Sequence, residues 1–213
     1  MSAEIHQRHF LNGEWHFFFF FWLMLNCSSF HAEALEMKSL SLPATMATPI
    51  YISLGGNLGR RERFLLGAIA SLKMRLGEFV QMSALYETPP WGFDSDLPFL
   101  NAVAQFNTTL APEEVLEILL KTEREFGRKR KQSSTYTSRT LDLDILFYGK
   151  QIIDSPLLQL PHPRIEQRAF VLVPLAEIAP ELHHPEKNKS IQELLTLCTD
   201  TSEIKAWTSP TAT

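Results

Sequence analysis

Two aspartates one residue apart, Asp142 and Asp144 in "SRTLDLDILFYG" (138–149), are the side chains of this sequence best placed to do chemistry. Successive side chains of a β-strand point to opposite faces. If 140–148 is a strand, Leu141, Leu143, Ile145 and Phe147 share one face, and Asp142 and Asp144 share the other with Leu146 and Tyr148. The carboxylates then lie roughly 6.5–7 Å apart along the strand. Their repulsion is tolerable in solvent and costly near a core unless cations offset it. Taken alone, the pair is accounted for equally well by a solvated strand face. The alternative is a magnesium site, because Mg²⁺ takes hard oxygen ligands and commonly uses one or two carboxylates plus substrate phosphates. Two same-face carboxylates also suit a metal pair. Neighbouring cations favour the metal. Arg139 precedes Asp142 by three residues, and Arg128 and Arg130 lie in the basic stretch "RKRK" just upstream. Acid beside base fits a metal–polyphosphate complex better than either fits alone.

Three further stretches carry candidate chemistry. The basic, Ser/Thr-rich loop 128–138 is either a solvated surface loop or a segment that closes over phosphates, to which arginine offers planar bidentate contacts. "ETPPWGFDSDLPFLN" (87–101) is a rigid proline turn followed by aromatics. It is either an ordinary connection or a slot for a flat heterocycle, with Trp91 and Phe170 as stacking partners and Asn101 offering a donor and an acceptor to a ring edge. "LPHPRIEQRAF" (160–170) holds His162 between two prolines, then Arg168 and Phe170. "GGNLG" (55–59) lacks both the P-loop lysine and the dinucleotide spacing, and is read as neither.

The elements that must position these residues begin at Pro49. "IYISL" (50–54) reads as a buried strand, 55–59 as a turn and 60–76 as a helix ending at Gly77. Residues 80–87 and 99–110 alternate as strands, and 111–127 is a strong helix with Pro112 and two glutamates in its first turn. After the aspartate strand, Gly149–Lys150 reads as a hairpin turn into 151–154, and 171–179 and 190–198 as short helices. The order is β-α-β-β-α-β plus a hairpin strand and short helices. That is the ferredoxin-like plan of the α+β class: two helices on one face of an antiparallel sheet, the other face free to carry a site.

Composition sets the bounds. The 213 residues, 45% hydrophobic and 21% charged, suit one soluble globular domain with a tail. A net charge of −4 gives no global attraction to nucleic acid or anionic membrane, so neither is expected as a partner. Cys27 and Cys198 show no metal-site spacing and suggest no disulfide framework. The apolar run Phe17–Leu25 is too short to span a bilayer as a helix and has a poor basic flank for a signal peptide. Residues 1–47 are expected to be a disordered extension or an over-long start, with Met37 or Met46 as the true first residue. The domain is expected at 48–200 and a C-terminal tail at 201–213.

In order and spacing, "SLGGNLG", "ETPPWG", "FLNAV", "EREFGRKRK", "SRTLDLDILFYG" and "LPHPRIEQRAFVLVPLAEIAPEL" resemble the 6-hydroxymethyl-7,8-dihydropterin pyrophosphokinases of folate biosynthesis, from about Pro49 to about Cys198. The resemblance implies the ferredoxin-like sandwich and a cytoplasmic, monomeric enzyme. It implies transfer of pyrophosphate from ATP to the pterin hydroxymethyl group, with release of AMP. Asp142 and Asp144 look like ligands of two Mg²⁺ ions, and Arg128, Arg130 and Arg139 like the cations that hold phosphates. The nucleotide contacts implied are Glu123, Arg128, Arg130, Ile145, His162 and Arg168. The pterin pocket implied is Thr88, Pro89, Trp91, Phe99, Asn101 and Phe170, with Gly55 and Asn57 nearby and Tyr136 closing over the ring. Phe99 stands where many members have tyrosine, Trp91 replaces a commoner aliphatic residue, the loop before Arg139 is one residue longer, and Pro163 follows His162 where an aromatic is usual. Two other classes remain open on residues alone: a nucleic-acid-binding module using the basic loop, and a different metal-dependent nucleotidyl- or phosphotransferase.

Overall fold

A computed structural model describes residues 46–128 and 137–209 of the chain. Its central strand, β1 (Thr48–Gly56), runs between β4 (Phe99–Thr108) and β5 (Asp142–Tyr148), antiparallel to both. β1 leads into helix α1 (Arg61–Lys73), which returns to β2 (Glu78–Met82) and β3 (Tyr86–Thr88). Both of these pair with β4, β2 along its far half and β3 along its start. Helix α2 (Pro112–Glu125) then crosses back to β5. The spatial order β5-β1-β4-β3, with β2 also on β4, is the ferredoxin-like sheet expected from the sequence.

The strand read as 80–87 is two strands because the chain breaks at Ser83–Leu85. There the Ser83 hydroxyl accepts the Val103 N–H at 3.0 Å, and the Glu177 carboxylate accepts the Ala84 N–H at 3.0 and 3.1 Å, replacing ladder bonds. The Gly149–Lys150 turn forms, but its downstream strand does not return along β5. β6 (Ile153–Asp154) pairs instead with β7 (Gln159–Leu160). Within the segment set apart as a C-terminal tail, β8 (Lys205–Ala206) pairs with the edge of β3.

One face of the sheet presents Ile50, Ile52 and Leu54 to the apolar stripes of α1 (Leu65, Ala68, Leu72) and α2 (Val115, Leu119), all fully buried. α2 begins as its sequence dictates, with Pro112 in the first turn and the Glu114 carboxylate accepting the Ala111 N–H at 2.7 Å. The other face is not wholly free. α3 (Ala169–Ile178) and α4 (Ile191–Leu197) cover half of it, packing Val171, Leu172, Leu175 and Ile191 on Tyr51, Val103, Leu146 and Phe147.

The strict alternation expected along β5 fails at Leu146. Ile145 pairs with Ile52 and Phe147 with Tyr51, so Leu146 is an extra, unpaired residue. Such a bulge turns the chain by one residue. Phe147 therefore joins Leu146 on the α3–α4 side, and Tyr148 moves to the α1–α2 side, where its hydroxyl donates to the Leu110 carbonyl. The aspartates lie before the bulge and keep the expected face.

Candidate active site

At the end of the sheet that α3 and α4 leave open lies a cleft of about 520 Å³. Its floor is the sheet: Ser53 and Gly55 on β1, Phe99 and Asn101 on β4, Asp142 and Asp144 on β5. Register sets this floor, because Gly55 pairs with Asn101 on one side and Asp142 on the other, and Ser53 pairs with Asp144. One wall is the 88–98 loop with Thr88, Pro89, Trp91 and Phe93; the other is Arg168 and Phe170 at the start of α3, with Arg139 completing the rim.

The apolar part of the cleft is a slot between rings. Trp91 and Phe170 stand 6.1 Å apart at 58°, and Phe93 meets Phe99 edge-on at 6.0 Å. The Arg168 guanidinium lies 5.1 Å from the Trp91 ring centre and 5.6 Å from that of Phe170. Buried at the base, Asn101 donates from Nδ2 to the Thr88 hydroxyl at 2.8 Å. Its Oδ1 rests directly on Gly55, where a Cβ would come within 2.8 Å of it. Glycine thus lets the amide lie flat on β1.

The polar part is a charge network anchored by α2. The helix ends at Gly127 with φ of +82°, a left-handed stop, and delivers Arg128 beside Glu123 and Asp142, with which it pairs. Arg139 pairs with the other Asp142 oxygen at 2.7 Å and lies 5.6 Å over the Phe99 ring. Glu123, 1% exposed, also accepts the Leu143 N–H at 2.9 Å, so it fastens the helix to the strand carrying both aspartates. Burial and the neighbouring Asp142 push the Asp144 carboxyl up to about 7, with Arg168 pulling the other way. A neighbouring carboxylate disfavours the charged form of a buried acid, and a cation beside it would favour that form.

Not every expected site residue lines the cleft. Asn57 is buried and its amide is committed to the protein: Oδ1 accepts the Arg139 N–H at 2.8 Å, and Nδ2 donates to the Ser138 hydroxyl at 2.9 Å and the Leu97 carbonyl at 3.3 Å. It holds the Arg139 segment rather than facing the cleft. Glu123 likewise lies beneath the site. Ile145 and His162 line an adjoining open cavity of about 840 Å³ with Leu116, Leu120 and Leu158. Burial, Arg168 and Arg164 pull the His162 ring down to about 4, so it is neutral at physiological pH, and its Nε2 lies 3.3 Å from Arg168 Nη1. Asp144 borders both cavities. Arg130 and Tyr136 fall outside the described residues. Sequence reasoning missed Ser53 and Phe93. Ser53 was detectable as the same-face neighbour of Gly55 two residues on; Phe93, inside a proline loop, had no periodicity to mark it.

The donor set suits magnesium. Two hard carboxylates stand together, and no third His, Cys, Asp or Glu completes a metal-binding group among the described residues. A tetrahedral zinc site needs more protein ligands, whereas Mg²⁺ fills its octahedron with waters and phosphate oxygens.

Fold and site together define a class: a ferredoxin-like α+β protein with paired carboxylates and arginines beside an aromatic-lined cleft. Comparison with known proteins narrows it. The family model for 7,8-dihydro-6-hydroxymethylpterin-pyrophosphokinase matches residues 51–180. The chain is 45% identical over 136 residues to the 2-amino-4-hydroxy-6-hydroxymethyldihydropteridine pyrophosphokinase of Porphyromonas gingivalis, covering 63% of this chain and 92% of that one. It is 39% identical over 158 residues to the Bacillus subtilis protein of the same name, covering 74% and 89%. A crystal structure of HPPK-DHPS in complex with substrates shares the fold, with a TM-score of 0.58 at 14% identity over 71% of this chain; the chain spans 43% of that longer protein. This chain belongs to the 7,8-dihydro-6-hydroxymethylpterin-pyrophosphokinase family. Among the described residues no helix is long and apolar enough to cross a membrane.

Proposed function

We propose that the chain transfers pyrophosphate from ATP to 6-hydroxymethyl-7,8-dihydropterin, the pterin lying in the ring-lined cleft and the nucleotide in the adjoining cavity. The observation that carries this reading is the position of Asp144 on the shared border of the two cavities, with Asp142 beside it. A group passing from one ligand to the other must cross there. Asp142 and Asp144 would hold two Mg²⁺ ions. Such ions neutralise phosphate charge and fix the triphosphate in line for attack.

The residues divide the remaining work. Asn101 and Thr88 present donor and acceptor atoms to the edge of the pterin, and Trp91, Phe99 and Phe170 supply its stacking faces. That holds the hydroxymethyl oxygen at the carboxylate end of the cleft. This oxygen attacks the β-phosphorus, the bond between the α,β-bridging oxygen and the β-phosphorus breaks, AMP leaves with the bridging oxygen, and the alcohol proton passes to solvent. Arg128, Arg130 and Arg139 offset the charge that builds on the phosphate oxygens. Ile145 and neutral His162 line the nucleotide side, and Tyr136 closes over the ring. The catalytic domain begins at residue 48 and takes in the C-terminal strand β8, which pairs with β3, and it acts in the cytoplasm as a monomer.

The test is product analysis. The purified full chain, given ATP, Mg²⁺ and the hydroxymethyl dihydropterin, should release AMP in a one-to-one ratio with pterin diphosphate, and only when all three are present. Release of ADP would point to a different phosphotransferase, and pterin-independent turnover would defeat the reading.

A further inference from the structure

Outside the site, one arrangement joins the two ends of the loop that forms the ring-binding wall. Arg61, the first residue of α1, extends its guanidinium to both of them. Nη2 donates to the Glu87 carboxylate at 2.7 Å, just before Thr88, and Nη1 donates to the Pro98 carbonyl at 2.7 Å, just before Phe99. Everything between, including Thr88, Pro89, Trp91 and Phe93, belongs to the wall. A guanidinium is a planar fork of fixed geometry, so it sets the spacing of the groups it bridges. The pair is partly shielded, with the Arg61 and Glu87 side chains 18% and 30% exposed.

The fork is itself covered from the C-terminal segment. β8 adds to the outer edge of β3, pairing Tyr86 with Ala206 and Glu87 with Lys205. The next residue, Trp207, donates its N–H to the Leu85 carbonyl at 2.7 Å and lays its indole over the guanidinium, 4.9 Å from the ring centre. Ser209 continues the attachment, donating to Glu62 at 3.0 Å. The indole Nε1 is buried and has no hydrogen-bond partner among the described residues. The ring's position is therefore set by packing and by the cation rather than by its polar atom. Trp207 lies beyond the family-matched span of 51–180.

We infer that Arg61 and Trp207 form a clamp that fixes the width of the pterin slot, so that the C-terminal segment positions substrate-binding residues it does not touch. The inference rests on the pterin reading of the cleft. Both are positioning residues: they act through Glu87 and Pro98 on the loop ends, not on the reacting atoms. Their effect belongs to pterin binding and not to the nucleotide, whose cavity shares no wall with the 88–98 loop.

The test compares the full-length wild type with Arg61→Lys, Trp207→Ala and Trp207→Phe. AMP release is measured with pterin and ATP varied separately, and Tm is recorded for each protein. Lysine keeps the charge but cannot bridge both acceptors. Arg61→Lys and Trp207→Ala should raise the pterin KM roughly five- to tenfold and leave the ATP KM within about twofold, while Trp207→Phe stays near wild type. A folded Arg61→Lys with unchanged pterin KM overturns the clamp, as does an equal rise in both KM values. If Trp207→Ala fails to fold, Trp207 is structural, and Arg61→Lys, a same-charge change, decides. A wild type that makes no AMP with the pterin instead defeats the reading of the cleft, a separate outcome.

Discussion

The buried carboxylate of Glu123 accepts the backbone N–H of Leu143, the residue between the two aspartates, at 2.9 Å, and pairs at the same time with Arg128. One side chain thus ties the end of α2 to the strand and holds an arginine of the site. Removing one partner of a buried charge pair leaves the other uncompensated, typically at a cost of roughly 3–5 kcal/mol. Asp142 remains beside Arg128 here, so Glu123→Ala should destabilise by about 3 kcal/mol, and Glu123→Gln by less, because its amide oxygen still accepts from Leu143. Urea unfolding measures this. An alanine variant as stable as wild type would remove Glu123 from its anchoring role.

Asp142 faces two arginines and the cleft together. If Asp142 holds an ion as proposed, Asp142→Ala should leave a folded protein and lower turnover by at least roughly 100-fold, since several kcal/mol of charge stabilisation would be lost and each ~1.4 kcal/mol is tenfold in rate. Circular dichroism and the AMP assay report the two halves of the claim. Near-normal turnover in a folded variant would count against the metal assignment.

Asp144 gives a pH signature with a definite sign. Its folded-state value, about 7, is above the ordinary aspartate value of 3.8, so the folded protein binds this proton more tightly than the unfolded chain. The carboxylate's destabilising effect is complete above about pH 7 and fades as pH falls towards 4. His162 works oppositely: held down to about 4, it favours folding with a neutral ring, and that contribution is lost as pH falls from 6.5 towards 4. Comparing wild type with Asp144→Asn cancels the histidine. In metal-free buffer the asparagine variant should be the more stable at pH 8, and the gap should narrow as pH falls through 7 and close only near pH 4, where the unfolded carboxyl is also protonated. A Tm difference independent of pH would show that Asp144 titrates normally.

Within the basic segment, Arg139 pairs with Asp142 at 2.7 Å and has its backbone fixed from both sides by Asn57. Lys131 belongs to the part of the loop outside the described residues. Arg139→Ala should therefore cut turnover strongly, by roughly two orders of magnitude. Lys131→Ala should cut it only mildly, because an ammonium is a point charge without arginine's bidentate fork. Equal losses would mean the segment acts as a diffuse charge.

The sequence carried the fold wherever period and punctuation agreed. The stripes of α1 and α2, the proline start and glycine stop of α2, the buried run of β1 and the alternation read along β4 all have local causes. It failed where a tertiary contact overrode the period. A bulge at Leu146 exchanged the faces of Phe147 and Tyr148, and Glu177, ninety-odd residues away, took over the bonds at the break between β2 and β3. The same division holds in the site. Asp142, Asp144 and Asn101 were legible because strand alternation sends them to one face. The committed amide of Asn57 and the burial of Glu123 depend on segments that only folding brings together. So does the second face of the sheet, expected free and half covered by α3 and α4.

Gly55 sits on the rung between Asn101 and Asp142, where the two halves of the site meet. A Cβ there would lie 2.8 Å from Asn101 Oδ1, closer than side-chain contacts allow. Asn101 is 4% exposed, so its amide has little room to retreat. Gly55→Ala should turn that amide, weaken its 2.8 Å bond to Thr88 and misplace the donor and acceptor offered to the ring. The clash is with a side-chain tip, so the strand should survive, with Tm lowered by only a few degrees. Pterin KM should rise roughly tenfold or more while ATP KM stays within about twofold, because the nucleotide cavity does not include this rung. A folded Gly55→Ala enzyme with wild-type pterin KM would show that Asn101 does not read the ring.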